Sequence, residues 1–248
     1  MVKGVSIKFK SYEETILKLL EIIKFDNEIK KHDKIVLKPN LIEGDPDRGT
    51  KVEFVEEILK FIMKNKNPGT EIFIVEGCDG KNTMDVFDDL GYKTLAEKYD
   101  VGLIDLNKTE TTEVESEEFL GFDSIMYPKI LLESFVISLP KLLKNNGLIY
   151  GSLDSMVGAF PANYYSGFFS SDKNKLRKYG FKFQVHDILK CKMPNFSILD
   201  FSDEGLILAG KPLEMDKQGA KLLGIDWRNV PHLRLVDDSF SSGENEDS

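Results

Sequence analysis

Residues 34–75 read KIVLKPNLIEGDPDRGTKVEFVEEILKFIMKNKNPGTEIFIV and carry the clearest pattern in the chain. Lys34 to Lys38 (KIVLK) and Glu71 to Val75 (EIFIV) are short apolar runs, typical of buried strands. Between them the spacing predicts an amphipathic helix that begins with a capping box of Thr50 and Glu53. A strand, a helix and a second strand in this order predict two parallel strands joined by a crossover helix.

The same alternation continues on both sides of this unit. Further strands are predicted at Val5 to Phe9, Val101 to Leu106, Phe135 to Leu139, Phe196 to Phe201 and Leu206 to Gly210, the last two as a hairpin. Residues 107–127 interrupt the alternation and predict an insertion or an edge hairpin. We therefore predict an α/β fold with a central, mainly parallel sheet, helices on both faces, and an irregular segment rich in Gly and aromatic residues.

The chain is predicted to form a single α/β domain over residues 1–238, followed by an acidic disordered tail at 239–248. The tail contains Glu244, Glu246 and Asp247 and has no core-forming pattern. Within the domain, residues 142–181 mix Gly with Tyr and Phe. Such a composition is typical either of a lid or binding segment or of an irregular packing layer.

The composition excludes several classes of protein. The 248 residues have a net charge of −9, with 41% apolar and 30% charged residues, which suits a folded domain and excludes disorder. No apolar run reaches about 18 residues, so no membrane span is expected. Basic residues form no dense cluster, so nucleic acid is not an expected partner. Since no secretion signal precedes the first predicted strand, a cytoplasmic protein is expected, and a homo-oligomer stays open.

Polar side chains follow several of the predicted strands, and the carboxyl ends of parallel strands are where open sheets bind ligands. Lys38 and Asn40 follow one strand, and Lys141 and Lys144 follow another, where a helical turn would place both lysines on one face. These four residues are predicted to bind a small anionic molecule. Lys38, at a strand end, is expected to contribute little to the core.

Three carboxylates complete the predicted site. Glu76 and Asp79 lie on a Gly-rich turn before a helix, and Asp200 closes a strand. They are predicted to serve as acid/base groups or as ligands of a divalent metal. The same turn is also suited to presenting backbone N–H groups to an anion. Neither a phosphate-binding loop nor G-x-G-x-x-G occurs, so the sequence gives nucleotide binding no specific support.

The sequence gives weaker support to nucleophilic catalysis by a cysteine and to a zinc site or an iron–sulfur cluster. Cys78 stands beside a carboxylate that would raise its pKa, and Cys78 and Cys191 alone cannot hold a zinc ion or an iron–sulfur cluster, so none is expected. His186 and Asp187 are adjacent on a predicted helix, where neighbours do not face each other. No Ser/His/Asp arrangement is therefore predicted.

Several blocks resemble one family of unknown function. The run VLKPNL at Val36 to Leu41 resembles the K-P-N signature of the domain of unknown function 362 family. Its later blocks resemble Ile72 to Gly77, Phe135 to Gly147, Pro194 to Asp200 and Gly205 to Gly224. The family is common in archaea and anaerobic bacteria, and many members carry a ferredoxin-like module that this sequence lacks. Many also have a His in a motif after the Pro-Lys; Lys141 to Gly147 (KLLKNNG) has none.

These observations leave two functions open. One is an enzyme that acts on a small anionic metabolite at the carboxyl ends of the strands. The other is a non-catalytic ligand-binding protein, or an accessory protein of a redox complex, that uses the same pocket or a partner surface. The resemblance supports the fold and the pocket and does not decide between these two functions.

Overall fold

The computed structural model describes residues 4–42, 45, 47–145, 148–168 and 170–241. The strands are β1 (Val5–Lys8), β2 (Lys34–Pro39), β3 (Glu71–Glu76), β4 (Gly102–Asp105), β5 (Thr111–Glu115), β6 (Ser124–Pro128), β7 (Phe135–Leu139), β8 (Leu143–Asn145), β9 (Leu148–Tyr150), β10 (Phe196–Phe201) and β11 (Leu206–Gly210). The α-helices are α1 (Tyr12–Ile22), α2 (Phe25–Ile29), α3 (Val52–Asn65), α4 (Thr83–Asp89), α5 (Tyr92–Tyr99), α6 (Lys129–Leu132), α7 (Ala162–Tyr165), α8 (Phe181–Cys191), α9 (Pro212–Leu222) and α10 (Pro231–Ser241). Short 3-10 helices span Asp154–Ala159, Asn174–Lys178, Ser202–Glu204 and Trp227–Asn229.

The central sheet has seven strands in the order β1-β11-β10-β7-β2-β3-β4. Strands β10, β7, β2, β3 and β4 run parallel, whereas β11 is antiparallel to both β10 and β1. The predicted α/β fold with a mainly parallel sheet is therefore confirmed, as is the hairpin of β10 and β11. None of the helices in the described ranges is long and apolar enough to cross a lipid bilayer.

Apolar side chains of the sheet alternate between two cores. Along β2, Ile35 and Leu37 belong to one core, which they share with α1, α2 and α3. Val36 belongs to the other core, which it shares with α8, α9 and α10. Because helices cover both faces, the central strands are buried on both sides and read as continuous apolar runs. Lys38 comes next on the Val36 side and points away from α1 and α3.

Residues 107–127 contain most of a hairpin that lies outside the central sheet. Strands β5 and β6 pair with each other in antiparallel register from Thr111–Pro128 to Glu115–Ser124 and form their own two-stranded sheet. Ile125 and Tyr127 attach this hairpin to the second core. Of the two predicted alternatives, an insertion fits better than an edge hairpin, because β4 is the edge strand of the central sheet on this side.

Thr50 has a different role from the predicted capping box. The helix α3 starts after Lys51, at which no side-chain cap is formed. The Thr50 hydroxyl instead donates to the carbonyl oxygen of Leu139 at 2.6 Å and accepts the backbone N–H of Asn40 at 2.9 Å. Thr50 therefore ties the loop after β2 to the end of β7, and the prediction of a capping box at this position was wrong.

The C-terminal helix extends past the predicted start of the tail. Ser239 and Phe240 belong to α10, and Ser239 lies 2.9 Å from Nε2 of the buried His186. The domain boundary predicted at residue 239 thus falls inside a helix. Residues 242–248, the remainder of the predicted tail and the part that holds Glu244, Glu246 and Asp247, lie outside the described residues, and that part stays a prediction.

His186 and Asp187 contact each other although they are adjacent in sequence. Asp187 Oδ1 lies 2.6 Å from His186 Nδ1, so the expectation that the two side chains do not face each other was wrong. The position of the Asp187 carboxylate is fixed because it also accepts the backbone N–H groups of Leu120, Gly121 and Phe122 at 2.8 to 3.1 Å. Burial by itself raises the pKa of Asp187, but these hydrogen bonds outweigh it and lower the pKa below its ordinary value.

Candidate functional site

A cavity of about 410 Å³ opens at the carboxyl ends of β2 and β3. The loop after β2 and the turn after β3 line one side, and residues between Tyr150 and Gln184 line the other. Its polar lining consists of Asn40, Arg48, Glu76, Cys78, Asp79, Tyr150, Asp154, Ser155, Lys173, Arg177 and Gln184. Open parallel sheets bind their ligands at this kind of edge. A larger groove, about 1010 Å³, runs along α9 past Trp227 and contains none of the predicted site residues.

Lys38 and Glu76 form a buried ion pair at the floor of this cavity. The Lys38 side chain is fully buried, and its Nζ donates to the two Glu76 oxygens at 3.1 and 3.0 Å and to the Ser155 carbonyl oxygen at 2.8 Å. Glu76 also accepts the backbone N–H of Gly77 at 2.7 Å. The two charges are therefore satisfied inside the protein, and Lys38 contributes to the interior, contrary to the prediction of a strand-end side chain with little effect on the core.

The irregular segment approaches this ion pair so closely at Gly158 that a side chain there would displace Glu76. A Cβ atom on Gly158 would lie 2.4 Å from Glu76 Oε1 and 3.1 Å from Lys38 Nζ. A Cβ atom on Gly77 would lie 2.4 Å from the Gly158 carbonyl oxygen. The two backbone segments meet without side chains between them, which brings their carbonyl oxygens within reach of one further group.

That group is Lys173, which comes from the irregular segment. Its Nζ donates to the carbonyl oxygens of Gly77 at 2.6 Å and Gly158 at 2.9 Å, and its backbone N–H donates to Asp79 Oδ1 at 2.6 Å. Burial lowers the pKa of Lys173 to about 8, although the nearby Glu76 carboxylate raises it. Lys173 therefore carries an amine that exchanges a proton near neutral pH.

The mouth of the cavity holds polar side chains that have no partner in the part of the chain that the structure describes. Arg48 and Arg177 are exposed, and neither forms an ion pair or a side-chain hydrogen bond with any residue in the described ranges. The side-chain amide of Asn40 is likewise unpaired among the described residues, since only its backbone N–H and carbonyl oxygen are bonded, both to Thr50. These groups are available to a ligand.

The charge balance of the lining favours an anion. Three basic side chains (Arg48, Lys173, Arg177) and three acidic ones (Glu76, Asp79, Asp154) line the cavity. Burial, followed by the nearby Asp216 carboxylate, raises the pKa of Asp154 well above its ordinary value, which favours the neutral form of this acid. Glu76 is neutralised by Lys38 below it. The lining therefore retains more positive than negative charge, although the chain as a whole has a net charge of −9.

Asp154 and Asp216 hold the irregular segment in place. Asp154 accepts the backbone N–H of Gly151 at 2.6 Å, and Asp216 on α9 accepts those of Ser152 and Leu153 at 2.8 and 2.9 Å. Both side chains are buried, and burial raises the pKa of Asp216 to about 7. The cavity wall is thus fixed to α9 by a carboxyl group that titrates near neutral pH.

This pair predicts a stability that depends on pH. A carboxyl whose pKa is raised from about 3.9 to about 7 on folding stabilises the protein fully below about pH 4, and the contribution is lost as pH rises through 7. The variant Asp216→Asn should therefore lose less stability than the parent between pH 5 and pH 8, by roughly 1–3 kcal/mol. Urea unfolding at both pH values measures this, with the exposed Glu117→Gln as a control; equal pH slopes in parent and Asp216→Asn would contradict it.

Lys141, Lys144 and Asp200 do not join the cavity. The backbones of Lys141 and Asp200 form a parallel bridge, so their side chains lie on the same face of the sheet. This is the face that α1 covers, because the Tyr12 hydroxyl on α1 donates to Asp200 at 2.7 Å. The Lys141 Nζ is bound to Asp203 at 2.7 Å. The expected meeting of Lys38 and Lys141 around one ligand is therefore wrong, because the two side chains leave the sheet on opposite faces.

Lys144 lies in the hairpin β8–β9 rather than on a helical turn. The expected shared face with Lys141 is consequently absent, and the Lys144 side chain is exposed, 3.4 Å from the Leu223 carbonyl oxygen. Of the predicted site residues, the structure brings Lys38, Asn40, Glu76 and Asp79 together. Sequence reasoning missed Lys173, Arg48 and Arg177; the only signal for Lys173 and Arg177 was their position in or near the Gly- and aromatic-rich segment.

The turn after β3 does not present its backbone N–H groups to an anion, as one of the two predicted uses required. The backbone N–H groups of Gly77, Cys78 and Gly80 are bonded to Glu76, Thr83 and Ser171, so they do not form a nest for an anion. In the described part of the chain, His, Cys, Asp and Glu side chains form no group of three suited to a metal ion. Cys78 is buried, and burial together with Glu76 raises the pKa of its thiol to about 12, which keeps it protonated.

Comparison with known proteins bears on the family alone. Neither the curated proteins nor the solved structures give a match to this chain. A family model described as "Domain of unknown function (DUF362)" matches residues 35–215. The match covers β2 except for Lys34, the strands β3 to β11 and every residue that lines the cavity, and therefore the chain belongs to the DUF362 family.

Proposed function

We propose that the protein is an enzyme that binds a small anionic metabolite in the cavity at the ends of β2 and β3. The observation that carries this proposal is Lys173, a buried amine with a pKa of about 8 in a cavity whose mouth holds two arginines without partners among the described residues. A general acid or base works best when its pKa lies near the working pH. Buried titratable groups in a cleft with unpaired polar groups are characteristic of active sites.

Each part of the lining has a distinct role in this proposal. Arg48 and Arg177 bind the carboxylate or phosphate of the ligand, since guanidinium groups pair with such anions through two hydrogen bonds. Asn40 orients the ligand, and Lys173 gives or takes a proton. The ion pair of Lys38 and Glu76 is a positioning element: Lys38 holds the Ser155 carbonyl oxygen, and Glu76 holds the backbone N–H of Gly77, whose carbonyl oxygen accepts from Lys173.

The cellular environment of the protein forms part of the proposal. Cys78 and Cys191 are free thiols, one buried and one half-buried, which suits a reducing cytoplasmic environment. We expect the isolated chain to bind no iron–sulfur cluster, because two cysteines cannot complete one. Iron above trace amounts with visible charge-transfer absorbance would contradict this expectation.

Removing either arginine should weaken anion binding. Arg177→Ala and Arg48→Ala should each raise the Kd of a bound carboxylate or phosphate by about 10–100-fold, because each removes a charge-assisted pair of hydrogen bonds. Ligands are found by thermal-shift screening of small carboxylates and phosphates, and Kd values are then measured by calorimetry. Arg234→Ala, an exposed arginine on α10 outside the cavity, is the matched control and should leave Kd unchanged.

Two outcomes separate the enzyme from its alternative. Binding that depends on Arg48 and Arg177, followed by chemical change of the ligand in a reaction abolished by Lys173→Met, supports the enzyme. The same binding with the ligand recovered unchanged, alone or with added redox partners, supports a non-catalytic binding or accessory protein. If the Kd is insensitive to both arginines, the cavity is not the anion site.

A further inference from the structure

The two buried lysines of the site differ in how completely their amines are bonded. Lys38 Nζ has four acceptors: two Glu76 oxygens and the carbonyl oxygens of Ser155 and Pro39. Lys173 Nζ has two, the carbonyl oxygens of Gly77 and Gly158. A lysine amine has three bonding positions beyond its carbon, so Lys38 is saturated and Lys173 keeps one position without a partner among the described residues.

The unused position of Lys173 has a definite chemical meaning. When the amine is neutral, its two N–H bonds are the two that Gly77 and Gly158 accept, and the remaining position is the lone pair. A neutral amine held in this way is oriented as a nucleophile, because the backbone carbonyls fix its N–H bonds and leave the lone pair free. Since Lys173 lines the cavity, a bound molecule in that space comes within its reach.

Two further observations favour a nucleophilic amine over a purely structural ammonium. No carboxylate in the described ranges forms an ion pair with Lys173, whereas Lys38 next to it is paired with Glu76. Burial also lowers the pKa of Lys173 to about 8, which leaves a usable fraction of free amine near neutral pH. Exposed lysines of the same chain lack this combination of burial, fixed N–H bonds and a cavity.

We infer that Lys173 forms an imine with the carbonyl carbon of a small oxo acid whose carboxylate is held by Arg48 and Arg177. This inference rests on the proposed function and names its substrate class. The volume of about 410 Å³ admits a small metabolite of this kind. An oxo acid combines the two features that the lining recognises, an anionic group for the arginines and an electrophilic carbon for the amine.

The reaction balances with water as its only by-product. The Lys173 nitrogen adds to the carbonyl carbon, and one N–H proton moves to the carbonyl oxygen, which gives a carbinolamine. That oxygen then accepts a second proton and leaves as water, while the nitrogen lone pair forms the C=N bond. We assign the transfer of these protons to water in the cavity and to Asp79, which lines the cavity and accepts the backbone N–H of Lys173 through one oxygen. The protonated imine retains one N–H for one of the two backbone carbonyls.

Reductive trapping tests the inference on the full chain. The protein is incubated with pyruvate or glyoxylate and sodium cyanoborohydride, which reduces an imine to a stable secondary amine, and the modified residue is located by peptide mapping. One adduct per chain, on Lys173, formed at least ten-fold faster than on any exposed lysine, is the expected result. Lys144→Arg is the matched control and should keep the adduct; Lys173→Arg should lose it.

The outcomes distinguish this inference from the proposed function. If small anions bind in an Arg177-dependent way but trapping modifies only exposed lysines, the imine is excluded and anion binding stands. If Lys173 is trapped equally fast by neutral propanal and by the oxo acids, and Arg177→Ala changes neither rate, the oxo-acid assignment is overturned although the lysine is reactive. Because the adduct is located by peptide mapping of the parent protein, the test remains valid even if a Lys173 variant fails to fold.

Discussion

Replacing Glu76 by Gln is expected to lower the free energy of unfolding by about 3–5 kcal/mol. The change removes the negative partner of Lys38, whose side chain is fully buried. Breaking a buried ion pair from one side is strongly destabilising because it leaves an uncompensated charge in the interior. Urea unfolding at pH 7 measures the loss.

A double variant separates the effect of the lone charge from the effect of packing. Lys38→Met combined with Glu76→Leu removes both charges and should recover most of the loss, since apolar replacements of a buried pair are often neutral or stabilising. Glu110→Gln, which breaks an exposed pair with Lys129, is the matched control and should change stability by less than about 1 kcal/mol. A Glu76→Gln protein within about 1 kcal/mol of the parent would mean that water reaches Lys38. This prediction replaces the expectation that Lys38 contributes little to the core.

Asp187→Ala is expected to destabilise the protein to a similar extent, by about 3–5 kcal/mol. Asp187 is fully buried and accepts hydrogen bonds from His186 and from three successive backbone N–H groups at residues 120–122. Removing the carboxylate leaves these donors buried without a partner, and each unsatisfied donor costs about 1–3 kcal/mol before the surroundings relax. The measurement is urea unfolding, followed by both fluorescence and circular dichroism.

Two control variants test this prediction: a conservative change of Asp187 and the removal of a nearby exposed carboxylate. Asp187→Asn keeps one acceptor oxygen and should lose less stability than Asp187→Ala. Glu118→Ala removes an exposed carboxylate from the same turn, where it pairs with Lys190, and should change stability by less than about 1 kcal/mol. Equal losses for Asp187→Ala and Glu118→Ala would show that the backbone of residues 120–122 finds other acceptors.

The fold was predictable because its signals are local. Runs such as KIVLK and EIFIV are too apolar for an exposed strand and too short for a helix, and the amphipathic helix between them requires a parallel pair. The rule that ligands bind at the carboxyl ends of parallel strands then led to Lys38, Asn40, Glu76 and Asp79, which the structure does bring together. Both steps depend only on residue types and spacings that can be read from the sequence.

The rest of the site depends on information that the sequence does not carry locally. Strands buried on both faces have no alternation of polar and apolar residues, so the sequence does not indicate that Lys141 and Lys38 leave the sheet on opposite sides. Lys173 reaches the cavity through a segment without periodicity, and its contacts depend on the close approach of Gly77 and Gly158. His186 and Asp187 meet because backbone groups distant in sequence converge on the carboxylate.

The strand order also constrains the sequence of events as the chain emerges from a ribosome. Strand β1 is synthesised first, yet its neighbour in the sheet is β11, at Leu206–Gly210. By contrast, β2, β3, β4 and β7 are adjacent in the sheet and are all complete by Leu139. A nascent chain can therefore assemble this parallel block early, whereas β1 waits for the hairpin of β10 and β11 before it gains a partner strand. Translation that stops before Leu206 leaves β1 with an unpaired backbone and leaves β10 as an open edge, which is the kind of surface that chaperones bind and that drives aggregation.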